Sequence, residues 1–110
     1  MISIFKEDEK NLLLNLNLHE ASLTNAEVFK AELLQLFEIH QKNIILNMDQ
    51  VEYIDSSFVG ALVALLRQLM TVKTDLALVG LRKEIADLFE LIRLDKVFKI
   101  YSNFDEATAM

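Results

Sequence analysis

The chain has 110 residues, 53% of them apolar, a formal net charge of −6, and neither cysteine nor proline. The length is one domain's worth, the apolar share excludes a disordered chain, and the missing cysteines exclude a disulfide framework or a thiolate metal site. The acidic balance argues against nucleic acid as a partner, because that binding leans on Lys and Arg neutralising phosphates.

Ile2 to Phe5 is a short apolar start that reads as an edge strand, and Glu7 to Asn11 is a polar, solvated turn. From Leu12 to Leu18 the pattern alternates, with Leu14, Leu16 and Leu18 on one face and Asn15 and Asn17 on the other. Period-two alternation predicts a half-buried strand, so the two segments form a hairpin. Thr24-Asn25-Ala26-Glu27 has the spacing of a capping box at a helix start. Val28, Ala31, Leu33, Leu34 and Phe37 then predict an amphipathic helix ending near His40. Asn43 to Met48 is an apolar, uncharged run that reads as the central, buried strand, and Asp49 to Ile54 as the loop after it.

Asp55-Ser56-Ser57 follows, and then Phe58 to Leu66, nine residues without a polar side chain, in a helix continuing to Met70. Thr74 to Val79 reads as a strand closed by Gly80. Arg82 to Arg93 reads as a helix with Ile85, Leu88, Phe89 and Ile92 inward. Val97 to Tyr101 is a last short strand, and a terminal helix starts at Asn103 or Asp105 and runs through Ala109. Nothing reads as a linker or repeat, so residues 1–110 are expected to form a single domain. The fold class is α/β: a small mixed sheet of about five strands with about four helices, its crossovers implying parallel neighbours under a helical layer. The longest apolar run is far below the ~20 residues that span a bilayer. No secretory signal pattern is present, so no membrane insertion and a cytoplasmic location are expected.

The informative stretch is Asp55-Ser56-Ser57. It lies beyond the carboxyl end of the central strand, where open sheets of this type place their sites. It is also the entrance to a helix, whose first N–H groups have no partner within the helix and favour small oxygen-bearing side chains or an anion. A cap is the plain reading of such a triplet. A serine hydroxyl there could also carry a phosphate with little strain.

The strand Asn43 to Met48, the loop Asp49 to Ile54, the triplet Asp55-Ser56-Ser57 and the helix from Gly60 to Leu66 resemble the central pattern of the STAS domain. That family includes the anti-sigma factor antagonists of bacteria. A looser match covers the rest of the chain. The resemblance implies that Ser56, the first serine after the aspartate, is phosphorylated by an anti-sigma factor that is itself a serine kinase, with Ser57 the runner-up acceptor. It implies that the unphosphorylated domain binds this partner, which regulates transcription, and that a serine phosphatase resets it. Asp55, Ser56, Ser57, Phe58 and Val59 are then the expected partner-binding residues. Phe58 stands where the family usually has glycine, and the early loop Leu18 to Ser22 lacks the glycine turn common there.

A second reading is a STAS-type structural or regulatory subunit of a transporter complex, acting without phosphorylation; Phe58 in place of glycine favours it. An enzyme is not expected. Ser56 and Ser57 lack the flanking glycines of a nucleophile elbow, His19 and His40 are distant in sequence and read as surface residues, and no Gly-rich phosphate loop is present. No cofactor or metal is expected, and the oligomeric state is left open.

Overall fold

The computed structural model describes residues 1–109. Strands β1 (Ile2–Glu7) and β2 (Asn11–Leu16) form the predicted antiparallel hairpin. Asp8 closes the turn: its Oδ1 accepts the N–H groups of Lys10 at 2.9 Å and Asn11 at 2.7 Å. The register shifts between Ile4 and Lys6, a bulge that bends the outer strand and blunts the edge of the sheet.

A two-residue strand, β3 (Glu20–Ala21), follows, then helix α1 (Leu23–His40), β4 (Asn43–Asn47), a second two-residue strand β5 (Tyr53–Ile54) and helix α2 (Ser56–Thr71). The chain continues through β6 (Leu76–Val79), α3 (Lys83–Leu91), a 3-10 turn (Leu94–Lys96), β7 (Lys99–Tyr101) and α4 (Phe104–Thr108). The main sheet has the order β1-β2-β4-β6-β7, with β2, β4, β6 and β7 mutually parallel. The α/β class, five-stranded mixed sheet and four helices are as expected, and β4 is the central strand. Asn103 caps α4, its Oδ1 accepting the Glu106 N–H at 2.8 Å.

Leu12, Leu14, Leu16, Ile44, Leu46, Leu76 and Leu78 turn to one face of the sheet and are buried with the inward faces of α1, α2 and α3. On the reverse face Leu13, Ile45, Ala77 and Val79 pack with Phe104 and Ala107 of α4. Covering on both sides explains why β4 and β6 read as unbroken apolar runs. The predicted alternation of β2 holds, but its second face is not wholly polar, since Leu13 is buried there.

Several local expectations are corrected. The Thr24 capping box does not form; Thr24 and Glu27 are exposed. Helix α1 starts at Leu23 with Ser22 as its cap residue, and the Ser22 N–H donates to Asn25 Oδ1 at 2.9 Å. The Leu23 N–H finds its acceptor in Asp55, 32 residues away, so a local pattern could not locate the start. The buried face of α1 is Ala26, Phe29, Leu33 and Phe37, while Val28 and Ala31 face solvent. Three-to-four-residue spacing fits either stripe; the one with two phenylalanines buries more area and wins. Ile92 is exposed because α3 ends at Leu91 and Ile92 is its C-cap. Val97 caps the 3-10 turn rather than opening β7.

Phe58 is fully buried at 0% exposure and stacks on Phe29, ring centroids 4.5 Å apart. It locks the first turn of α2 onto α1. Phe58→Ala would leave a cavity between the two helices and lower stability by about 3–5 kcal/mol, read from urea unfolding.

Candidate functional site: the joined starts of two helices

The segment before Ser56 is not a free loop. β5 pairs in parallel with β3, aligning Tyr53 with Glu20 and Ile54 with Ala21. The His19 carbonyl accepts the N–H groups of Glu52 at 2.8 Å and Tyr53 at 3.2 Å, and the Ala21 carbonyl accepts the Asp55 N–H at 3.0 Å. This small second sheet brings the entry to α1 beside the entry to α2.

Asp55 completes the junction. Its Oδ1 accepts the Phe58 N–H at 3.0 Å, the N-cap bond of α2. Its Oδ2 accepts the Leu23 N–H at 2.8 Å, at the first residue of α1. One carboxylate thus satisfies orphan donors of two helices, and both positive dipole ends converge on it. The Phe58 N–H foremost, then that of Leu23, hold the Asp55 carboxyl below the usual carboxylate range.

The predicted site residues divide accordingly. Ser56 is exposed on the first turn of α2, and its hydroxyl makes no hydrogen bond among the described residues. Ser57 and Val59 are half-buried beside it. Phe58 is the correction: a core side chain cannot meet a visiting surface, so it supports the site from beneath. Its replacement of glycine alters the interior rather than the exposed face. Gly60 is exposed, and a Cβ placed on it would meet nothing within 4 Å. Neither packing nor backbone strain requires glycine there.

Two exposed apolar residues that sequence reasoning missed lie close to Asp55, the cap residue that precedes Ser56. Leu23 is 70% exposed and Tyr53 54% exposed. Leu23 touches Asp55 through its backbone, and Tyr53 precedes Asp55 by two positions. An aromatic directly after the acidic Glu52, in the segment leading to Asp55, was a signal for Tyr53. Nothing local pointed to Leu23, which reaches the site only through the tertiary fold. The histidines lie apart from the serines: His19 Nδ1 pairs with Glu52 Oε1 at 3.0 Å and His40 Nδ1 with Glu7 Oε2 at 2.9 Å. Among the described residues no base is hydrogen bonded to the hydroxyl of Ser56 or Ser57.

Comparison with known proteins agrees with this fold. The model of the STAS domain family matches residues 6–107. A Thermotoga neapolitana protein named as an anti-sigma factor antagonist, a homologue of TM1081, is 32% identical over 89 residues, 80% of this chain and 79% of its own. The crystal structure of the Thermotoga maritima anti-sigma factor antagonist TM1081 superposes with a TM-score of 0.77 at 28% identity, covering 88% of this chain and 85% of that one. The anti-sigma factor antagonist SpoIIAA in its unphosphorylated form, at 18% identity, shares the fold with a TM-score of 0.79 over 97% of this chain and 92% of that one. The Bacillus cell fate determinant SpoIIAA in its phosphorylated form, also at 18% identity, gives 0.72 over 99% and 97%.

Asp55→Asn would keep one acceptor for α2 but set an NH2 group against the Leu23 N–H, lowering the melting temperature at pH 7 by several degrees. Because the folded-state pKa of Asp55 is depressed, its contribution is full above the unfolded value of about 3.9 and fades as pH falls through the folded value. The difference in melting temperature between wild type and Asp55→Asn should therefore shrink from pH 5 toward pH 2, as followed by circular dichroism.

Proposed function

The chain belongs to the STAS domain family, and from that premise we propose that it is a phosphorylation-switched protein-binding module. Its partner is an anti-sigma factor with serine-kinase activity, bound while Ser56 is unphosphorylated and released when Ser56 is phosphorylated; a serine phosphatase resets it. In this role it is cytoplasmic, regulates transcription and is not itself an enzyme. No helix among the described residues is long and apolar enough to cross a membrane.

The observation that carries this reading is the exposed Ser56, its hydroxyl unengaged, beside exposed Leu23 and Tyr53. A hydroxyl is small and neutral enough to lie within an apolar contact. A phosphoryl group is neither, bringing about −1.5 to −2 charges and three strong acceptors. It would stand next to the ionised Asp55, at a helix start already serving one anion. The helix tolerates it, since the dipole favours negative charge at that end. The docked surface would bear the cost of desolvating it, and a loss of ~3 kcal/mol weakens binding about a hundredfold. SpoIIAA, which shares the fold, is known in both unphosphorylated and phosphorylated forms.

The transporter-subunit reading rested on Phe58 standing where the family usually has glycine. Phe58 lies in the core, so the substitution changes the packing beneath the site and not its exposed face.

Incubation with the cognate kinase and ATP should add one phosphate by mass, and Ser56→Ala should abolish it. Continued modification of a Ser56→Ala/Ser57→Ala protein would refute the assignment. Gly60→Ala offers an independent check of the docking face. Alanine in an exposed helix should raise stability by about 0.5–1 kcal/mol. Its methyl on the partner side should nonetheless weaken binding in calorimetry; undiminished affinity would place the partner elsewhere.

A further inference from the structure

A concavity lies at the other end of the molecule. Strands β2, β4 and β6 run parallel and start together, and at these amino ends the sheet borders a cleft of about 530 Å³ that continues onto the reverse face near α4. That volume is within the range of about 300–1,000 Å³ typical of small-molecule sites. We infer that this cleft binds a small organic anion, a phosphate or carboxylate carried on a flat or compact apolar body. The inference is independent of the Ser56 reading, because Ser56 lies beyond the opposite, carboxyl ends of the strands.

Charge is the first argument. The charged side chains lining the cleft are Lys10, Lys73, Lys99 and Asp75, three positive and one negative, a local balance of +2 in a chain of net −6. Lys99 Nζ is paired with Asp75 Oδ2 at 3.0 Å. Lys10 and Lys73 take part in none of the ion pairs formed among the described residues. Two ammonium groups with no ion-pair partner among the described residues line one concavity and attract an anion, and low-dielectric walls focus that attraction. Elsewhere the acidic chain repels such a ligand, so the preference is local.

The walls supply the second argument. Exposed Met70 of α2 and half-buried Tyr101 of β7 line the same space with apolar surface, alongside Ile45 and Ala77, which are themselves buried. Bare inorganic phosphate would leave these surfaces unused, whereas a ring or short chain would cover them. Asn43 commits its Oδ1 to the Asp75 N–H at 3.0 Å, leaving its NH2 as a further donor for an anionic oxygen. Few polar groups over an apolar lining is the usual composition of a ligand site.

The test is an amide chemical-shift titration of the full chain with phenyl phosphate, benzylamine and inorganic phosphate. Phenyl phosphate should shift the amides of Asn43, Thr74 and Tyr101 saturably, and the other two should shift them at least about tenfold more weakly. The Lys10→Gln/Lys73→Gln variant should lose the phenyl phosphate response by a similar factor. Both lysines are exposed, so the variant should fold, as unshifted amides elsewhere would verify. Absence of shifts in the cleft, an undiminished response in the variant, or equal binding of benzylamine or inorganic phosphate would each overturn the assignment.

Discussion

The carboxylate of Asp55 is the constraint on which the site depends. Two helices begin within its reach, each with first-turn N–H groups that have no partner inside the helix. A single group answers both, Oδ1 toward Phe58 and Oδ2 toward Leu23. This fixes where α1 and α2 start and how they stand relative to each other. It also frees Ser56 from capping, the plain role its position would otherwise assign it.

Behind that junction the Phe29–Phe58 stack seals the helices together, and above it the β3–β5 ladder clamps the approaching chain. The surface around Ser56 is thus rigid without Ser56 contributing to its rigidity. Under the proposed switch this separation matters: the side chain that changes charge is not one that holds the fold. Phosphorylation could then alter what docks while leaving the domain intact. The proposed anion cleft uses the opposite end of the same sheet, where the starts of the parallel strands meet Lys10 and Lys73, so the two surfaces can be altered separately.

Much of the architecture was legible because burial writes itself into spacing. The unbroken apolar runs of β4 and β6, the alternation in β2 and the long apolar stretch of α2 each had one physical interpretation. The element order then required crossovers and a parallel sheet. The weaker signals failed where two readings had similar cost. On α1, Val28 and Ala31 compete with Ala26 and Phe29 for the inward stripe, and spacing cannot rank them. The strands β3 and β5 were invisible because two residues carry no period, and their pairing is made by backbone groups common to every residue.

The sequence by itself determined that a strand leads into Asp55-Ser56-Ser57 and a helix, and that the triplet sits at the carboxyl end of a parallel sheet. These features depend on hydrophobic period and on local capping chemistry, which neighbours in the chain can express. Only the tertiary structure decided that Phe58 turns inward, that the start of α1 at Leu23 meets Asp55, and that Asp55 caps two helices at once. Each of those depends on contacts between residues about thirty positions apart, whose meeting follows from the packing of the whole core rather than from any segment read alone.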